Sequence, residues 1–268
     1  MKIGNRDFEI GKRTYIMGIL NVTPDSFSDG GSFNNIEAAI KHAKMMVADG
    51  VDIIDIGGES TRPGHKSVSE EEEIKRVVPI IEALKREIEV PISVDTYKGK
   101  VAELAIKAGA AMINDVWGFK KDIYIAKVAA KYNVPCCLMH NRDNRNYNNL
   151  IGDILVDLEE SITIAIKAGV KRENIIVDPG IGFAKSYDDN LKTMNNLDKL
   201  NILGYPILLG TSRKSMIGFA MNLPVSERLE GTLATTAIGI MKGCEFIRVH
   251  DILENKRVCA ITDAICRI

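Results

Sequence analysis

Tyr15–Gly31 reads YIMGILNVTPDSFSDGG, and it holds the unit from which the rest of the chain is built. Tyr15, Ile16, Met17, Ile19 and Leu20 form an apolar run of strand length that turns polar at Asn21. From Asn21 to Gly31 no helical period is readable, and Pro24, Gly30 and Gly31 interrupt any regular element. An amphipathic run resumes near Ile36. Strand-to-helix connections usually take roughly 2 to 6 residues, so a polar connection about twice that length predicts a functional loop at the C-terminal end of a strand.

Outward from this stretch the same unit recurs. Strands are expected at 15–21, 51–57, 91–95, 111–116, 135–140, 174–178, 206–211 and 246–250, with helices near 36–49, 70–88, 98–108, 122–132, 153–168, 187–200, 226–242 and 253–266. Gly50, Gly109, Gly169 and Gly243 each fall just past a helix and before a strand, the place for a left-handed C-cap. Ser69-Glu70-Glu71-Glu72 reads as a capping box, and Glu70–Glu73 as a solvated first turn suited to the helix dipole. Residues 1–13 read as a short β-hairpin, Lys2-Ile3-Gly4-Asn5, a turn, then Phe8-Glu9-Ile10-Gly11. Eight βα units with continuous apolar strands predict parallel strands buried on both faces, an α/β fold of the (β/α)8 TIM-barrel type with an N-terminal hairpin. A doubly wound open sheet is the alternative, but no Gly-x-Gly-x-x-Gly follows the first strand and there is no P-loop. No linker rich in Pro, Gly or Ser divides the chain, so residues 1–268 are expected to form one domain.

Composition narrows the partners. With 46% hydrophobic residues in 268 the chain can build a sizeable core, and a formal net charge of −1 argues against nucleic acid or an anionic membrane as the main partner. The N-terminus lacks an apolar stretch of signal-peptide length and no run is long enough to span a bilayer, so a soluble, cytoplasmic protein is expected. Cys136, Cys137, Cys244, Cys259 and Cys266 form no Cys-x-x-Cys pair and read as reduced core thiols.

In a barrel of this kind the chemistry sits on the C-terminal strand ends and the loops after them. Those positions carry Asn21, Asp95, Asn114, Asp115, His140, Asp178, Lys214, Arg248 and His250, with two long loops at 21–35 and 57–68. A single Asp or Asn there is often only a helix N-cap, and Asp55 and Asp115 read equally as barrel-interior hydrogen-bonding residues. His140 reads equally as a packed histidine or a ligand. Asp95, Asn114, Asp178 and Lys214 at one end of one barrel are harder to explain singly. Together they suit a flat heterocycle: a carboxylate takes two parallel N–H bonds from an aminopyrimidinone edge, an amide meets a mixed edge, and a lysine donates to a ring carbonyl or nitrogen. Arg248 and His250 leave the last strand on the same face and suit a phosphate, against the alternative of an Arg paired with a surface carboxylate. Asn21 suits one neutral oxygen on Mg²⁺, which binds phosphates with few protein ligands.

In order along the chain, GILNVTPDSFSDGG, GGESTRPG, SVDT, INDV, VDPGIGFAK, GTSRKS and IRVHD resemble the dihydropteroate synthases, a family of pterin-binding enzymes. The resemblance covers essentially the whole chain. It implies a (β/α)8 barrel, a homodimer, and condensation of 6-hydroxymethyl-7,8-dihydropterin diphosphate with 4-aminobenzoate, releasing pyrophosphate with Mg²⁺ present and open to competition by sulfonamides. Pterin contacts then fall on Asp95, Asn114, Asp178 and Lys214. Diphosphate and metal contacts fall on Asn21, Thr61, Arg62, Arg248 and His250, with Asn21 on the metal. Aminobenzoate contacts fall on Phe27, Arg62, Pro63, Phe183, Lys214 and Ser215. The groups expected to act in catalysis are Asp29, Asp178, Lys214, Arg248 and His250. The tract Asn141–Asn146 receives no role beyond a rim. Two rival readings are a pterin-barrel methyltransferase, which would not need Arg248-x-His250 or the Arg62-Pro63 loop, and a pterin-binding barrel without catalysis.

Overall fold

The computed structural model describes residues 1–22, 32–59 and 67–267. Apolar runs of strand length alternate with amphipathic helices because each pair buries its apolar faces against the next. After a two-stranded antiparallel hairpin, β1 (Lys2–Ile3) and β2 (Arg6–Asp7), eight parallel strands follow: β3 (Tyr15–Asn21), β4 (Ile53–Gly57), β5 (Ile92–Asp95), β6 (Met112–Asp115), β7 (Cys136–Met139), β8 (Ile175–Asp178), β9 (Leu208–Leu209) and β10 (Phe246–Val249). Around them run α1 (Ser32–Ala48), α2 (Glu70–Glu87), α3 (Gly99–Ala108), α4 (Tyr124–Tyr132), α5 (Leu150–Ala168), α6 (Tyr187–Asn195), α7 (Ser215–Met221), α8 (Leu229–Met241) and α9 (Ile252–Cys266). The strand order is β8-β7-β6-β5-β4-β3-β10-β9, and a parallel bridge between Val177 and Ile207 brings the two ends together in a nearly closed barrel.

Successive side chains of a strand face opposite ways, and this splits the core in two. Ile16, Ile54, Ile92, Ile113, Val177 and Ile247 point outward into one large cluster with the helices. Tyr15, Met17, Ile53, Met112, Cys137, Ile176, Leu208 and Phe246 point inward and form the barrel floor with Ile3 and Phe8. The hairpin closes the barrel from below, with the Phe8 and Tyr15 ring centroids 4.8 Å apart and Tyr15 stacked on Phe246 at 5.5 Å.

Several local expectations are corrected. The hairpin turns earlier than expected, pairing Lys2 with Asp7 around Gly4-Asn5. Phe8 carries the pairing one residue further, its N–H donating to the Met1 carbonyl at 2.7 Å and its carbonyl accepting from the N-terminal ammonium at 2.9 Å, while its ring packs under the barrel. The run 206–211 yields only Leu208–Leu209 as strand, since Pro206 has no N–H to give a ladder; its carbonyl still accepts from Val177 at 2.9 Å. The single helix expected at 187–200 is α6 followed by a 3-10 turn at Leu197–Leu203, and α7 was not anticipated. Ser69 caps α2 by accepting from the Glu72 N–H at 3.2 Å, while the Glu72 carboxylate takes Arg76 at 2.8 Å; the complete capping box is Ser186–Asp189 on α6. The acidic first turn of α2 is not wholly solvated. Glu73 is 1% exposed and shares Lys98 with Glu59, at 2.6 and 2.5 Å, because α3 packs beside it. The four glycine C-caps do adopt positive φ, and all the thiols are free, four buried and Cys266 exposed.

Candidate active site

Two residues above the apolar floor, on the same inward-facing register, the barrel turns polar. Ile53 is followed by Asp55, Met112 by Asn114, Ile176 by Asp178 and Phe246 by Arg248, a rise of about 6 to 7 Å. Asp55 is fully buried and its Oδ2 accepts from Asn114 Nδ2 at 2.9 Å and Arg248 Nε at 2.7 Å. Arg248 Nη2 donates to Asp95 Oδ2 at 2.6 Å. One guanidinium thus joins two carboxylates whose ordinary repulsion would exclude them from a common interior. Burial opposes the charge on Arg248, yet Asp55 and Asp95 together raise its pKa above the usual arginine value. Arg248 therefore pairs with buried carboxylates rather than surface ones.

The second oxygens are as informative. Asp55 Oδ1 and Asp95 Oδ1 are buried without a hydrogen-bond partner among the described residues. Buried acceptors are normally satisfied, so these two oxygens mark where the mouth calls for a donor. Asp178 Oδ1 accepts from the Gly180 N–H at 2.6 Å, and its Oδ2 faces Gly210, where an added Cβ would stand 3.9 Å away. Burial pushes the Asp178 carboxyl up to about 6, against the opposing pull of the Gly180 N–H and of Lys214. Burial likewise raises Asp95.

Lys214 precedes α7 in an extended conformation, with Ser215 opening the helix. Its Nζ stands 4.2 Å over the Phe183 ring, a cation–π contact that joins two of the expected contact residues. The neighbouring Arg213 turns away to an ion pair with Asp251. Ser212 Oγ lies 2.9 Å from His250 Nδ1 and accepts from the His250 N–H at 3.2 Å, which fixes the imidazole beside β10. Asn21 Oδ1 and Asp95 Oδ2 flank Gly57, at 3.8 and 3.7 Å from a Cβ built there. Asn21, Asp95, Asn114, Asp178, Phe183, Lys214, Arg248 and His250 accordingly share one mouth, with Ser215 exposed at the start of α7 beside Lys214. Phe27, Asp29, Thr61, Arg62 and Pro63 lie outside the described residues.

Two residues received less than their due from the sequence. Asp55 was left between a structural and a functional role, though an acid in an apolar strand at the inward register of Ile53 marks it. Ser212, within GTSRKS, carries no sequence signal of its own for the bond to His250. Asp115 is corrected in the other direction: next to Asn114 on the strand, it faces outward and accepts from the Trp117 and Phe119 N–H groups at 2.8 Å each. His140 proves to be a packed histidine, fully buried between Asp157 and Lys185.

Among the described residues no cluster of three or more His, Cys, Asp or Glu could hold a metal. The neutral amide oxygen of Asn21 at the mouth is a donor of the kind Mg²⁺ accepts, since that ion keeps most of its shell as water and phosphate and needs few protein ligands.

Comparison with known proteins agrees with this geometry. The pterin binding enzyme family matches residues 17–250, and the chain belongs to that family. Among the proteins it is similar to are dihydropteroate synthases. The one from Clostridium beijerinckii is 69% identical over 268 residues, covering 100% of both chains. The solved dihydropteroate synthase of Clostridium difficile, in the presence of pteroic acid, aligns at a TM-score of 0.96 and 54% identity over 98% of this chain and 100% of its own. That of Yersinia pestis, solved in a sulfonamide drug complex, aligns at 0.91 and 40% identity over 99% and 98%.

Proposed function

We propose that the chain is a transferase that condenses 6-hydroxymethyl-7,8-dihydropterin diphosphate with 4-aminobenzoate to 7,8-dihydropteroate and pyrophosphate, a step of folate biosynthesis. The observation that carries this reading is the buried mouth of Asp95, Asn114 and Asp178 with Lys214 beside it, in a chain so close to known dihydropteroate synthases.

In this reading Asp178 and Asp95 take N–H groups of the pterin, while Asn114, whose Nδ2 is oriented by Asp55, meets a mixed edge. The exocyclic methylene–oxygen bond breaks with its electron pair leaving on the diphosphate, and the ring delocalises the positive charge. The buried carboxylates offset that charge where it develops. The arylamine nitrogen, neutral at pH 7, then forms the C–N bond and releases one proton; it needs placement more than deprotonation. His250, set by Ser212, faces the departing diphosphate together with Arg248. Bound Mg²⁺ would neutralise part of the diphosphate charge. Asp29, Thr61, Arg62 and the walls Phe27 and Pro63 complete the aminobenzoate side, and sulfonamides would compete there.

We also propose a homodimer and a cytoplasmic location. Among the described residues no helix is long and apolar enough to cross a membrane. Phe219 on α7 is 72% exposed and packs edge-on against Tyr187 of α6, ring centroids 5.9 Å apart, an apolar patch that suits association of copies. Sedimentation of Phe219→Asp should show loss of the dimer. The test of the reaction is pyrophosphate release that requires both substrates and Mg²⁺. Methyl transfer from methyltetrahydrofolate to a corrinoid, or pterin binding with no release, would replace it with one of the two rivals.

A further inference from the structure

Phe183 stands on a loop, 179–186, whose backbone is unusually constrained. Gly180, Gly182 and Ala184 all have positive φ, at +68°, +85° and +46°. Gly180 is obligatory, because a Cβ there would come 2.0 Å from the carbonyl oxygen of His140. Ala184 adopts a conformation that a residue with a side chain rarely takes, so the loop is held from outside.

Two groups hold it. The Lys185 side chain, 4% exposed, folds back beneath the loop. Its Nζ donates to the Gly180 carbonyl at 2.9 Å and the Phe183 carbonyl at 3.2 Å, and lies 2.8 Å from His140 Nδ1. Burial pushes the Lys185 amine down to about 7, and in its ammonium form three hydrogens meet three neutral acceptors. Burial pushes His140 down to about 4, so it is neutral at pH 7. With Nδ1 accepting, the proton is assigned to Nε2, which donates to Asp157 Oδ2 at 3.0 Å. Asp157 is also held by Arg142 Nε at 2.5 Å, and the Arg142 guanidinium lies 4.8 Å over the Tyr147 ring. The second group is that tyrosine. Its hydroxyl donates to the Ala184 carbonyl at 2.9 Å, and burial keeps it protonated by raising its pKa to about 12. The tract after β7, which the sequence left without a role, thus closes a ring of contacts back onto the loop. On the loop's other side, Phe183 carries Lys214.

We propose that Lys185 and the Tyr147 hydroxyl are positioning groups for the condensation, holding loop 179–186 so that Phe183 stands where the arylamine ring meets the pterin. This rests on the synthase reading above and extends it to residues that touch neither substrate. The pterin carboxylates sit on strands and the arylamine wall sits on this loop, so loosening the loop should separate the two substrates' affinities.

The experiment is steady-state kinetics on two variants, with calorimetry of a pterin lacking the diphosphate. Tyr147→Phe keeps the ring under Arg142 and removes only the bond to Ala184. It should raise the KM for 4-aminobenzoate about three- to tenfold while changing kcat and pterin affinity less than about twofold. Lys185→Met keeps length and packing but removes three donors, and should raise that KM more than about tenfold. Lys185→Arg should recover part of the loss. If Lys185→Met does not fold, Tyr147→Phe alone decides. Wild-type turnover with unchanged aminobenzoate KM in the folded variants, even with lowered thermal stability, would mean a structural staple and overturn the proposal alone. Absence of wild-type turnover would overturn it together with the synthase reading.

Discussion

The floor and the mouth of this barrel are built by the same strands, on the same inward face, two residues apart, yet they obey opposite rules. At the floor, Ile53, Met112, Ile176 and Phe246 pack in an apolar layer held by shape and volume rather than by particular partners. At the mouth, Asp55, Asn114, Asp178 and Arg248 are nearly as buried, but each depends on a particular partner. The difference teaches where the fold's stability is committed to chemistry. Burying a charge is costly unless it is paired and hydrogen-bonded, so acids persist here only because Arg248 joins two of them and a loop N–H holds the third.

The comparison breaks most sharply at Arg248. Arg248→Met leaves Asp55 and Asp95 buried and unpaired, and should lower stability by about 3 to 5 kcal/mol, read from urea denaturation. Asp95→Asn in the same chain should recover part of it. Because Arg248 also holds Asp95, bare pterin should weaken as well as the diphosphate substrate, the latter more. Loss confined to the bare pterin would move the diphosphate elsewhere.

Asp178→Asn sharpens the contrast between stability and function. An amide presents a donor where the ring also donates, so calorimetry with bare pterin should show a loss of about 2 to 4 kcal/mol. Stability should move the other way. The folded pKa of Asp178, about 6, lies above its unfolded value, so ionisation weakens the fold as pH rises toward and through 6. The neutral amide escapes this, and the urea midpoint at pH 7.5 should exceed that of the wild type.

The same shift sets a pH dependence for binding. If the pterin needs the Asp178 carboxylate, affinity should be level above pH about 6 and fall about tenfold per unit below it. In Asp178→Asn that component should vanish and leave only the fall below about 7 that the raised Asp95 carboxyl brings; an unchanged profile would assign all of it to Asp95. The smallest effect belongs to the floor. Met112→Leu conserves volume and should cost under about 1.5 kcal/mol, with both KM values unchanged. A larger change in KM would mean that floor and mouth are coupled.

The repeated βα units, the helix caps and the polar strand ends were legible because each is written in a few adjacent residues, and the order of the units then dictates a parallel barrel. Helix α7 was not, since SMIGFAM is only seven residues with Gly218 inside it. Nor were the partners of the charged residues. Glu73 looked like a solvated first-turn acid until α3 brought Lys98 within 2.6 Å, and Lys185 looked like the tail of a motif.

By itself, then, the sequence determined the architecture and the polar strand ends gathered at one end of the barrel, because periodicity and strand-end position are local properties. Only the tertiary structure decided which groups meet. Asp55 and Arg248 lie 193 residues apart, and Tyr147 and Ala184 lie 37 apart. No local pattern encodes such pairs. They arise where closing the barrel forces buried donors and acceptors, separated in the chain, to satisfy one another away from water.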